Sequence, residues 1–187
     1  MKSIILASNS PRRKQLMEGA GLSFTVKTVP VEEVYPSSLP VHEVAEYLAM
    51  LKAKPFKDNI SENEIVITAD TVVIVDHTIL GKPQHREEAI SMLTKLSART
   101  HEVITGVCIT TKERQINFSE KTEVHFTALS PQQITYYVDT YKPYDKAGAY
   151  GIQEYIGYIA IEKIIGSFYN VMGLPIHRVV KELQNLY

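Results

Sequence analysis

The 187-residue chain has no tryptophan, one cysteine and almost no charge imbalance, with 20 Lys and Arg against 21 Asp and Glu. A lone Cys108 excludes an intrachain disulfide, and its apolar strand context predicts a buried thiol in a reducing cytoplasm. The formal net charge of −1 argues against bulk attraction to nucleic acid or anionic membranes. It leaves room for a small anionic ligand, which needs only a few local cations. No apolar run approaches the roughly 20 residues of a membrane span. The stretch from Met1 to Ala7 begins like a signal peptide, but Asn9-Ser10-Pro11-Arg12-Arg13 interrupts it, so a first strand and no export are expected. Six histidines, at 42, 77, 85, 101, 125 and 177, show neither zinc-ligand spacing nor an HExxH pair. Gly81-Lys82-Pro83 lacks the glycine and hydroxyl of a Walker A loop, and Gly148 with Gly151 does not complete a dinucleotide fingerprint.

What remains is an ordinary globular composition, 44% hydrophobic and 22% charged. A chain of this length buries about 70% of its unfolded surface, enough for one domain over residues 1–187 with room for two lobes. Strand and helix signals alternate. Strands are expected over 3–7, 23–29, 65–68, 72–75, 78–80, 101–111, 115–126 and 158–165. Helices are expected after Ser10, over 41–56 and 87–96, from Pro131 to Tyr141 and over 175–183. Mixed βα units and hairpins predict an α/β fold on a mixed twisted sheet, with a cleft where strand ends and loops converge.

The densest chemical signal is Leu6-Ala7-Ser8-Asn9-Ser10-Pro11-Arg12-Arg13. Ser10 is a good N-cap and Pro11 a good first helical residue, which puts two arginines where the helix dipole disfavours cations. A bound phosphate reverses that sign, because free amides, Ser8, Ser10 and two guanidinium groups would face it. Two solvated arginines beside an ordinary cap are the plain alternative. Asp70 lies between apolar segments and calls for a metal or cationic partner, unless it merely caps a turn. Glu32 and Glu33 are read as a strand end, where a carboxylate could join Asp70 around a hard divalent ion or simply face solvent. Lys82 could reach a phosphate, and Lys52 is by default a surface lysine. In Asp145-Lys146-Ala147-Gly148-Ala149-Tyr150-Gly151-Ile152-Gln153, small residues permit close approach to a ligand and Gln153 offers a donor and an acceptor to a base edge; a structural loop explains the stretch equally well.

Taken together, Ser8 to Arg13, Ala69-Asp70-Thr71, Gly81-Lys82-Pro83, Asp145 to Gln153 and Val171-Met172-Gly173-Leu174-Pro175 resemble the Maf family, in the family's order from Leu6 to Leu174. The resemblance implies an elongated mixed sheet flanked by helices around a central cleft, similar to the inosine triphosphatase fold. It implies a cytoplasmic nucleoside triphosphate pyrophosphatase that cuts between the α and β phosphates, and suggests a homodimer. Thr71 and Gln153 resemble the branch acting on dTTP and UTP, or on modified pyrimidine nucleotides in a house-cleaning role. In that branch the positions matching Arg12, Thr71 and Gln153 are associated with substrate choice and that matching Asp70 with proton acceptance. On this reading Ser8, Arg12, Arg13, Lys52, Thr71, Lys82 and Gln153 bind substrate, while Glu33 and Asp70 hold Mg²⁺ or Mn²⁺. Glu154 departs from the family pattern, which has glycine after the glutamine. The rival readings are a non-catalytic nucleotide-binding regulator of cell division and a phosphatase releasing orthophosphate.

Overall fold

The computed structural model describes residues 2–186. Its strands are β1 (Ser3–Leu6), β2 (Phe24–Val26), β3 (Glu64–Val75), β4 (Thr78–Leu80), β5 (Thr100–Thr110), β6 (Gln115–Phe126) and β7 (Ile161–Ile165). The α-helices are α1 (Pro11–Gly19), α2 (Val44–Lys57), α3 (Arg86–Leu96), α4 (Pro131–Tyr141), α5 (Tyr155–Ala160), α6 (Phe168–Met172) and α7 (Ile176–Gln184). The strands form a seven-stranded mixed sheet in the order β2-β1-β3-β5-β6-β7, with β4 also paired to β3. β1 runs parallel to β2 and β3, whereas β3–β4 and β6–β7 are antiparallel. The expected mixed α/β class is therefore observed.

The chain divides into two compact units. The first runs to Asp70 and adds Thr105–Glu120 and the segment from Gly173 onward. Here α2 presses on the sheet through small residues. A Cβ on Gly106 would come within 2.2–2.3 Å of the Ala45 and Glu46 backbone, so no larger residue fits. Ala49, Ala53 and Cys108 continue the contact, and the Thr68 hydroxyl donates to the Ala49 carbonyl at 2.7 Å. Side chains two apart share a strand face, and residues three apart share a helix face. The same packing therefore brings Asp70, two beyond Thr68, to Lys52, three beyond Ala49.

The second unit comprises Thr71–Ile104 and Lys121–Met172. Its β3–β4 hairpin turns at Asp76-His77, both at positive φ (48° and 58°), as a type I′ connection requires. Helix α4 carries the full capping box of Ser130 and Gln133, a rigid start for the element bearing Tyr137. His101, Phe126 and Tyr150 pack edge to face in its core.

Three expectations are corrected. Asp70 was expected between two short strands but lies inside one twelve-residue strand. β1 pairs with residues 64–67 of that strand and β4 with 73–75, which leaves Thr68–Val72 outside both pairings. Glu32 and Glu33 do not end a strand, since β2 stops at Val26 and both lie in irregular chain. The strand expected from Tyr158 starts at Ile161; the preceding six residues form α5, which buries Ile156 and Ala160 on one helical face and turns at Gly157, where a Cβ would strike the Ile152 carbonyl.

Candidate active site

In the first unit the site grows from the turn between β1 and α1. Ser10 caps α1, its hydroxyl accepting a long bond from the Arg13 amide at 3.5 Å, and Pro11 opens the helix. The Ser8 hydroxyl accepts from the Ser10 amide at 3.3 Å and from Arg13 Nη1 at 3.2 Å. Arg13 also donates from Nη1 to the Ala69 carbonyl at 2.7 Å and from Nε to the Gly173 carbonyl at 2.8 Å. The guanidinium thus satisfies a β3 carbonyl beyond the pairing with β1 and ties the Asp70 segment to a glycine at φ +116°. Burial draws the Arg13 pKa below its usual value; Asp70 opposes the shift, while the charge of neighbouring Arg12 adds to it. Arg12 is partly buried in the first turn of α1.

Asp70 is a buried acid, 9% exposed. Lys52 Nζ stands 2.6 Å from Asp70 Oδ1 and 3.0 Å from Glu33 Oε1. Two carboxylates therefore converge on one cation position, held here by an ammonium group. Lys52, read by default as a surface residue, is largely covered. Glu33 is the more exposed acid, with nearly half its side chain open. Among the described residues no cluster of three or more His, Cys, Asp or Glu could hold a metal ion. Two carboxylates nonetheless match the donor set of a hard ion such as Mg²⁺, which commonly takes one or two protein carboxylates beside phosphate oxygens and water. Within this unit the structure brings together Ser8 with Arg13, and Glu33 with Lys52 and Asp70.

The second unit carries Thr71, Lys82 and Gln153. Thr71 is partly exposed on β3, and Lys82 is exposed in the loop after β4. That loop is fixed by the Gly148 amide, which donates to the Gly81 carbonyl at 3.0 Å, so the Lys82 loop and the Asp145–Gln153 stretch are joined. Gly148 adopts φ +68° with the Val73 side chain about 3.0 Å from where a Cβ would sit, which suits glycine alone. Gln153 is partly buried, and its Oε1 is buried without a hydrogen-bond partner among the described residues.

Several groups of these two units leave little or no signal in the sequence. The carbonyls of Ala69 and Gly173 leave no mark in side-chain identity. Lys146, buried among Asp145 and Glu154, lies in a stretch singled out for other reasons. Tyr137 gave no signal beyond an apolar helical face; its hydroxyl meets Glu154 Oε2 at 2.5 Å and the Gly151 amide at 3.0 Å.

Comparison with known proteins agrees along the whole chain. The family profile described as "Maf-like protein" matches residues 3–186. A Bacteroides thetaiotaomicron protein named dTTP/UTP pyrophosphatase is 52% identical over 184 residues, spanning 98% of this chain and 95% of that protein. Proteins of the same name from Porphyromonas gingivalis (52% identical, 97% and 93% covered) and Cytophaga hutchinsonii (49%, 98% and 84%) are similar over the same span. Among solved structures, the Staphylococcus aureus Ham1 protein superposes over all of both chains with a TM-score of 0.54 at 17% identity, a likeness of fold.

Proposed function

This chain belongs to the Maf family, and from that premise we propose its reaction and the part of each residue. It is a nucleoside triphosphate pyrophosphatase acting on dTTP and UTP, in line with the names of its relatives. Water attacks the α-phosphorus, the bond from that phosphorus to the bridging oxygen breaks, and a nucleoside monophosphate and pyrophosphate separate.

The observation that carries the assignment is the convergence of Asp70 and Glu33 on one cation position, next to a helix N-terminus bearing two arginines. Asp70 takes the proton from the attacking water, a role that requires a carboxylate fixed in place; its seat inside β3 and its contact with Lys52 fix it. Asp70 and Glu33 would hold a divalent ion, which when bound supplies charge neutralisation and a more acidic water. Ser8, the N-terminal end of α1 and Arg12 bind phosphate oxygens, with Lys52 and Lys82 adding positive charge. Arg13 contributes its charge from behind, its Nε and Nη1 being engaged by protein oxygens. Phosphoryl transfer gains mainly from positioning and charge neutralisation, so no covalent nucleophile is needed.

Gln153, with Thr71, selects the base. Its buried Oε1, without a hydrogen-bond partner among the described residues, is an acceptor, and thymine and uracil share an N3–H donor beside an acceptor carbonyl that the Gln153 amide can complement. Cytosine offers the reverse pattern at N3. The ligand is a small molecule; the net charge of −1 gives no support to nucleic acid or membrane binding. Among the described residues no helix is long and apolar enough to cross a membrane. The buried free Cys108 supports a cytoplasmic setting, and family membership a homodimer.

The test is to incubate the protein with Mg²⁺ or Mn²⁺ and dTTP, UTP, CTP, dGTP or 7-methyl-GTP, measuring pyrophosphate and orthophosphate separately. Pyrophosphate from dTTP and UTP is expected. Orthophosphate alone would mean a phosphatase, and bound but unconsumed nucleotide would mean a regulator.

A further inference from the structure

The segment Gly151-Ile152-Gln153-Glu154 closes as a turn in which the Glu154 amide donates to the Gly151 carbonyl at 3.0 Å. Both ends of that turn reach one phenol. The Tyr137 oxygen accepts from the Gly151 amide at 3.0 Å and donates to Glu154 Oε2 at 2.5 Å. The other carboxylate oxygen of Glu154 lies 3.1 Å from Nζ of the buried Lys146. A Cβ at Gly151 would come 2.8–2.9 Å from the Glu154 carboxyl, so a glycine is what allows the carboxylate to fold back over its own turn. Burial, with Glu154 beside it, pushes the Tyr137 phenol well above its usual range, which keeps it a donor. Tyr137 is fully buried on the firmly capped α4.

We propose that Tyr137 and Glu154 are positioning residues for base selection: they lock the turn that carries Gln153 onto α4, fixing where its amide meets the pyrimidine edge. This deepens the function proposed above and rests on it. The carboxylate after Gln153 acts on the turn and leaves the base itself to Gln153. An amide left to swing would satisfy the cytosine edge almost as well as the uracil edge, because it can present either its oxygen or its nitrogen.

The experiment measures binding by calorimetry, so that it reads selectivity whether or not turnover occurs. The ligands are α,β-methylene analogues of dTTP, UTP and CTP, together with inorganic tripolyphosphate. In Tyr137→Phe the preference for thymine and uracil over cytosine is expected to fall by about tenfold, with tripolyphosphate affinity unchanged. Glu154→Ala should behave like Tyr137→Phe, whereas Glu154→Gln, which retains an acceptor for the phenol, should keep most of the preference. Unchanged preference in Tyr137→Phe and Glu154→Ala would overturn the proposal, as would an equal loss for every ligand including tripolyphosphate, the mark of a merely structural role. A wild-type chain that binds without discriminating among the bases would overturn it too. Absence of pyrophosphate release from wild-type protein that still discriminates would sink the hydrolytic function and leave the positioning role standing.

Discussion

Asp70→Asn separates catalysis from folding most cleanly. The substitution keeps the shape of the side chain and an oxygen for Lys52 to donate to, so the 2.6 Å contact survives as a weaker bond to a neutral acceptor. A charge-assisted hydrogen bond contributes about 1.5–3 kcal/mol and a neutral one about 0.5–1.5, so the expected loss of stability is about 1 kcal/mol. For a domain of this size that lowers Tm by roughly 2–4 °C. Loss of the proton acceptor should instead slow turnover by about 10²- to 10⁴-fold, or about 3–5.5 kcal/mol of activation free energy. The activity effect exceeds the stability effect several times over. Pyrophosphate release from dTTP under saturating Mg²⁺, read beside a thermal melt, measures both. A variant that melts within a few degrees of wild type and turns over at a near wild-type rate would refute the assignment of Asp70 as base.

Gln153→Ala should erode the preference for dTTP and UTP over CTP more than it slows the best substrate, as kcat/KM ratios will show; equal losses for every nucleotide would reduce Gln153 to loop support. Arg13→Lys cannot serve the Ser8, Ala69 and Gly173 oxygens at once, so it should cost about 2–4 kcal/mol in urea unfolding; a wild-type midpoint would contradict the bracing role. Gly106→Ala forces α2 off the sheet and should yield insoluble protein or a strongly lowered Tm. His101 is buried and its pKa is lowered to about 3, first by desolvation and then by His125. As pH falls below about 6.5 the unfolded chain binds a proton that the folded chain refuses until about pH 3, so stability is lost across that window, by about 2 kcal/mol between pH 6.5 and 5. Urea melts at the two pH values should show this loss in wild type and its absence in His101→Leu.

The sequence made the layers of the fold legible because the strong signals are local: the strand-forming runs over 101–111 and 115–126, the N-cap and proline that open α1, the proline that opens α4, and the break at Asp76-His77. It misplaced Asp70 because an acid in an apolar run looks like an interruption. Only tertiary packing reveals that Lys52 meets it there. Glu33 is expected at a strand end, but its carboxylate comes from irregular chain and reaches the same Lys52 that Asp70 meets. The last three residues of α5 are expected in a strand because Tyr158 and Ile159 favour strands, while the close approach of Gly157 to the Ile152 carbonyl is a contact rather than a composition. The double duty of Arg13 could not be read at all, as backbone carbonyls carry no letter in a sequence.

The position of Asp70 midway along a twelve-residue strand also bears on how such a protein can be altered. Loops accept replacement readily, whereas the span of a central strand cannot be re-aimed without dismantling the sheet. Gln153, proposed to read the base edge, lies with Glu154 on the Asp145–Glu154 loop, and the acid proposed to direct the cut lies on the scaffold. Exchanging that loop should therefore change which nucleotide is consumed while the bond that breaks stays the same, a division of labour that lets substrate range drift, or be engineered, around an unchanging reaction.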